Sequence, residues 1–163
     1  MIDSAPTGVP FPNRAPAAER PSALLFACRM NVIRSPMAAA ITRHLFPNQI
    51  YTRSAGVRPG ALDPFVQIVM EEIGIDISTH IPHSFEELED TNFDLVVTLA
   101  PEAHHKALEL TRTNAMDVEY WPMMDPSLAT GSRSQILDAY RSLRDELTMR
   151  IKKRFVWQPR GSD

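Results

Sequence analysis

Apolar positions along the chain alternate between short uninterrupted runs and stripes at helical spacing. Residues 23–27 (ALLFA) form an apolar run with no polar alternation, which predicts a strand buried on both faces. A helix is expected over 35–46, with Pro36 in its first turn and Met37, Ala40, Ile41, His44 and Leu45 on one face. Residues 50–54 read as a second strand, ended by Gly56. Asp63-Pro64 is a helix start, with aspartate as N-cap and proline at the first position; Phe65, Ile68, Val69 and Ile73 follow at helical spacing and Gly74 closes the helix. Ser84 with Glu87 makes a capping-box pattern for a further short helix.

The run at 93–99 (FDLVVTL) is the best strand pattern in the chain, followed by a helix over 101–110 and a shorter strand over 118–121. Ile136, Tyr140, Leu143, Leu147 and Ile151 then recur at steps of four, three, four and four, an amphipathic helix with Arg and Lys in its last turns. Strands alternating with helices imply a small three-layer α/β/α domain around a four-stranded parallel sheet. Sheets of this kind bind ligands at the carboxyl ends of their strands.

Composition narrows the reading. Residues 1–22 hold five of the 14 prolines and are expected to form a flexible tail, 23–157 the single domain and 158–163 a loose end. A net charge of −3 argues against a nucleic-acid partner, and no apolar run approaches the roughly 18 residues of a membrane span. Cys28 is the one cysteine, which excludes an internal disulfide or a paired-cysteine zinc site and suits a reducing, cytoplasmic setting. Oligomeric state has no signature.

The informative stretch is Cys28-Arg29-Met30-Asn31-Val32-Ile33-Arg34-Ser35-Pro36, where the first strand passes into the first helix. A lone cysteine after an apolar strand is ordinarily a small buried hydrophobe. Arginine six positions later, followed by serine and a helix, changes that. The intervening residues can curl their N–H groups of Arg29, Met30, Asn31, Val32 and Ile33 inward as an anion nest, and the helix adds its positive end. Both favour Cys28 as a thiolate nucleophile. The Arg34 fork can hold two oxygens of a tetrahedral oxyanion, and the Ser35 hydroxyl can hydrogen-bond the sulfur.

This C-x5-R-S-P stretch resembles the low-molecular-weight protein tyrosine phosphatases and their relatives, the thioredoxin-coupled arsenate reductases. The likeness runs from about Leu24 to Phe155. By resemblance, Ser54 of Ser54-Ala55-Gly56, Asn31 and His80 support the phosphate loop, with Asn31 in a left-handed conformation. Asp125 of Asp125-Pro126 corresponds to the family's general acid, which protonates the leaving oxygen and then deprotonates the attacking water. The implied activity is hydrolysis of a phosphorylated protein or small phosphomonoester through a cysteinyl-phosphate, with no metal or other cofactor.

Several positions depart from the family pattern. Met30 replaces a usual glycine, and a glycine-only backbone shape there would put about 1–3 kcal/mol of strain into the loop. Ile33 replaces a second loop cysteine, and Ser127-Leu128 stand where two tyrosines often line the groove. Ala100 stands where the reductases place a resolving cysteine, and their second is also absent. Two alternatives therefore stay open: an arsenate reductase that depends on an external thiol, and a non-catalytic oxyanion- or phosphoprotein-binding module. The remaining histidines, His83, His104 and His105, are expected in surface or packing roles.

Overall fold

The computed structural model describes residues 20–89 and 92–159. The part of the expected tail at 1–19, and residues 160–163, lie outside them. The elements are β1 (Ala23–Cys28), α1 (Arg34–Leu45), β2 (Tyr51–Gly56), α2 (Pro64–Glu71), β3 (Leu95–Thr98), α3 (Pro101–Leu110), β4 (Asp117–Tyr120) and α4 (Arg133–Arg154). The four strands form one parallel sheet in the order β2-β1-β3-β4. β1 and β3 are buried throughout, apart from partly covered Ala23, which is why they read as unbroken apolar runs.

Helices cover both faces. α1, α2 and α4 supply one core with Leu24, Phe26, Val97 and Leu99 of the sheet region. Ala103 and Ala107 of α3, with Phe85, Leu88 and Phe93, supply the other against Leu25, Ala27 and Val96. The chain winds outward from β1 in both directions, so the carboxyl end of β1 lies at a topological switch point.

Three details differ from expectation. α1 is buried on every side from Arg34 to Thr42, because it is wedged between sheet and α4, whereas His44, assigned to its apolar face, is exposed. In α2 the core positions are Val66, Val69 and Met70, and Ile73 is outside the helix and exposed. There Gly74, at φ +78°, turns the chain so that Ile75 N–H reaches the Met70 carbonyl at 3.0 Å. Finally, Ser84 and Glu87 make both capping-box bonds, at 2.8 and 3.3 Å, yet only a turn follows. Ser84 is instead bridged to Gly56, and no apolar helical repeat continues beyond Leu88.

The expected domain start at residue 23 is preceded by a clasp. Arg20 donates from Nε to the Phe155 carbonyl (2.8 Å), from Nη2 to the Val156 carbonyl (2.9 Å) and from Nη1 to Gln49 Oε1 (2.6 Å). Its guanidinium also lies 4.7 Å from the centre of the Phe46 ring. These bonds satisfy carbonyls at the end of α4, where a cation is electrostatically favoured.

Candidate active site

β1 delivers Cys28 to the switch point, and the backbone curls through residues 29–33 before Arg34 opens α1. Cys28 is 2% exposed, at the base of a cleft of about 230 Å³. Its carbonyl and that of Arg29 accept from Val57 N–H at 3.2 and 2.8 Å, outside the loop. The N–H groups of the same trans peptides are thereby left on the loop's inner side. The Cys28 Sγ lies 2.9 Å from the Ser35 hydroxyl oxygen, which is 3.3 Å from the Ala55 carbonyl. A hydroxyl has one proton, so a Cys28 thiolate would draw it from Ala55 to the shorter contact.

Asn31 is the pin of the loop. It takes φ +57°, a left-handed conformation that asparagine tolerates better than other side-chain-bearing residues. Its Nδ2 donates to Ser35 Oγ and Ser54 Oγ, both at 2.9 Å, and its Oδ1 accepts from His83 N–H at 3.1 Å. His80 Nε2 sits 2.7 Å from the Asn31 carbonyl. A carbonyl only accepts, so Nε2 carries the proton. Burial holds the His80 imidazole below its ordinary pKa, partly opposed by this bond.

Met30 does not need the backbone shape that only glycine adopts easily. Among the described non-glycine residues, positive φ occurs at Asn31, Asn48 and Val156. The strain expected at Met30 is therefore absent. Its side chain instead packs toward Gly60, where an added Cβ would come within 3.0 Å of Met30 Cβ.

The far wall carries the charged groups. Arg34 donates from Nη1 to the Met123 carbonyl at 3.1 Å, and its Nη2 lies 3.9 Å from Asp125 Oδ2. The other Asp125 oxygen accepts from Ser127 N–H (2.9 Å) and Ser127 Oγ (2.7 Å), which leaves Oδ2 on the Arg34 side. Asp63 lines the same cleft. Its Oδ1 caps α2 through Phe65 N–H at 2.9 Å, and its Oδ2 accepts from the Tyr140 hydroxyl at 2.6 Å. Burial and the Asp63 charge push the Tyr140 phenol far above its usual range, so it stays a donor.

The structure thus gathers Cys28, Arg29, Met30, Val32, Ile33, Arg34 and Asp125 around one cleft, with Asn31, Ser35, Ser54 and His80 bracing the loop behind it. Sequence reading missed Asp63 and Tyr140 as residues of this region, having placed one as a helix cap and the other in an apolar stripe. It also missed His83 and Met123. Both act here through backbone groups that any residue supplies, so no sequence signal marks them. His83 Nδ1 lies 3.0 Å from the Ile81 carbonyl, and its buried Nε2 has no partner. Ala100, the N-cap of α3, is 1% exposed. Among the described residues no cluster of three or more His, Cys, Asp or Glu could hold a metal ion.

A family model described as low molecular weight phosphotyrosine protein phosphatase matches residues 23–154. The chain belongs to this family. Its relatives carry two kinds of name. An arsenate reductase of Shouchella clausii (strain KSM-K16) is 33% identical over 130 residues, covering 80% of this chain and 92% of the relative. A glutaredoxin arsenate reductase of Synechocystis is 26% identical over 129 residues, covering 79% and 92%. Among solved structures, an arsenate reductase in its phosphate-binding state aligns with TM-score 0.67 at 24% identity, covering 83% of this chain and 97% of that one. A low molecular weight protein tyrosine phosphatase from T. tengcongensis aligns with TM-score 0.65 at 26% identity, covering 80% and 95%. The family is one of cysteine-based enzymes, and its named members are phosphatases and arsenate reductases. No helix among the described residues is long and apolar enough to cross a membrane.

Proposed function

We propose that this family member is a phosphomonoester hydrolase of the protein tyrosine phosphatase type, working through a cysteinyl-phosphate. The Cys28 thiolate attacks phosphorus in line, the P–O bond to the leaving group breaks, and Asp125 gives its proton to the departing oxygen. Arg34 and the inward N–H groups of residues 29–35 hold the equatorial oxygens, a charge complement already in place before substrate arrives. Water then attacks the thiophosphate, Asp125 takes its proton back, and phosphate leaves as the thiolate is restored. Ser35 stabilises the departing sulfur, and Asn31, Ser54 and His80 keep the loop in shape. No step requires a cofactor.

The observation that carries this choice over reduction is the solitary thiol. Cys28 is the chain's one cysteine, and Ile33 and buried Ala100 stand where a resolving thiol would be needed. The cleft is also lined by Leu62, 64% exposed, and by Met30, Val32 and Ala61. Apolar groups there suit an organic ester and offer nothing to a bare oxyanion. The absence of strain at Met30 removes the reason for preferring a non-catalytic module.

A second reading draws on the reductase relatives, one of which is named for glutaredoxin. Cys28 could form a thiol–arsenate adduct, with an external thiol attacking it to release arsenite. Assays separate the two. Under the phosphatase reading, purified protein hydrolyses p-nitrophenyl phosphate in the presence of chelator, and Cys28→Ser abolishes turnover while phosphate still binds. Phosphate binding without any product burst would overturn it. Sustained arsenite release with thioredoxin alone would overturn the phosphatase reading, and release only with glutathione or glutaredoxin would favour the second.

A further inference from the structure

The second residue of the loop is an arginine whose charge neither the catalytic steps nor the fold uses. Arg29 lines the cleft, and its side chain is 45% exposed. Its Nε approaches Glu102 Oε2 only to 3.9 Å, and that glutamate is 53% exposed in the first turn of α3. A contact so long and so wet contributes almost nothing to stability. A second arginine springs from the adjoining backbone. The Arg58 N–H donates to the Arg29 carbonyl at 3.1 Å, so two arginines spring from hydrogen-bonded backbone, and Arg58 is exposed as well. The cleft's two carboxylates, Asp63 and Asp125, face other partners: Phe65 N–H and Tyr140 for the first, Ser127 and Arg34 for the second.

We infer that Arg29, assisted by Arg58, is a specificity subsite for a second anionic group carried by the substrate beside its phosphate. This rests on the phosphatase reading, because a free phosphate or arsenate ion has no second group to offer. Arg34 is already committed to the oxyanion, so the additional cation at the rim has only the rest of the substrate to meet. Glu102 is the internal competitor. With no substrate it keeps Arg29 loosely oriented, and it yields readily because the pair is weak. The second anion is a carboxylate flanking a phosphorylated residue, or a second phosphate on a small ester; both offer the same fork-on-oxyanion chemistry.

The test compares kcat/KM for two tyrosine-phosphorylated peptides that differ only in a Glu or Gln beside the phosphotyrosine, and for an aryl bisphosphate against its monophosphate. Wild type should prefer the more acidic member by about two- to fivefold at low salt, the range of an exposed ion pair, and less at high salt. The preference ratio should approach one in Arg29→Gln, shrink in Arg58→Gln and grow in Glu102→Gln. A preference in the peptide arm alone would assign a protein substrate, and in the bisphosphate arm alone a small one. The ratio is the readout, so a general loss from changing a loop residue does not confuse it. Binding of the same ligands to Cys28→Ser is measured in parallel. If wild type hydrolyses nothing but Cys28→Ser still discriminates, the phosphatase reading falls and the subsite stands. Equal ratios in wild type and Arg29→Gln, in turnover and in binding, would overturn the subsite alone.

Discussion

A Cβ on Gly56 would lie 2.7 Å from the Asn31 backbone nitrogen and 2.8 Å from the Met30 carbonyl carbon, so β2 ends directly against the loop that follows Cys28. Gly56 is held there from both sides, its N–H on the His83 carbonyl (2.9 Å) and its carbonyl on Phe85 N–H (3.0 Å). Neither partner leaves it room to retreat. Gly56→Ala should therefore displace the loop, with a stability loss of about 1–3 kcal/mol from overpacking. Inhibition by inorganic phosphate should weaken at least tenfold (~1.4 kcal/mol of binding). Thermal melting and phosphate Ki check the two effects, and an unchanged Ki would mean the loop is set independently of β2.

Asn31 combines an unusual backbone angle with four hydrogen bonds from its side chain and carbonyl, and two substitutions separate these contributions. Asn31→Gly keeps the left-handed turn but strands the side-chain partners, at a cost of about 1–3 kcal/mol. Asn31→Ala should cost about 1 kcal/mol more, because alanine resists positive φ. Denaturant titration gives the order, and alanine as the milder change would show that the loop relaxes to another shape.

Asp125→Asn should lower turnover by roughly two to four decades for an alkyl phosphate, the range of a lost general acid. The loss should be much smaller for an ester with an activated phenol leaving group, which departs without protonation. Paired kcat measurements on the two esters provide the check. Equal losses would place the acid elsewhere.

His80 links the loop to pH. Its imidazole is held below the ordinary histidine range by burial, with His83 and Arg43 acting in the same direction. As pH falls below the unfolded value of about 6.5, the unfolded chain binds a proton that the native protein resists. Stability should thus be full above that pH and decline as pH drops toward the native value. His80→Gln retains an N–H donor for the Asn31 carbonyl and should flatten this component. Urea midpoints between pH 5 and 8 test it; parallel curves for the two proteins would remove His80 from the account.

The strands and the three longer helices were legible because burial on two faces, or on one stripe, leaves a period in the sequence. β1 and α4 show this plainly. The Ser84 capping box misled because two capping bonds stabilise a single turn, and a helix needs the apolar repeat that residues 86–92 lack. In the site, Cys28, Arg34 and Ser35 stand out because their types and spacing are chemically demanding. Asp63 and Tyr140 do not, since their 2.6 Å bond joins positions 77 residues apart and exists only once α2 and α4 have packed. His83 was invisible for another reason: its contribution is a peptide group.

The Arg20 clasp sits at the amino end of β1, whereas Cys28 sits at the carboxyl end of the same strand. The segment that leads into the sheet and the one that leaves α4 are therefore knotted together at the pole remote from the cleft. A pull applied across the same two points loads three hydrogen bonds and an arginine–ring contact before it reaches β1, which gives the domain a mechanical fuse distant from its chemistry.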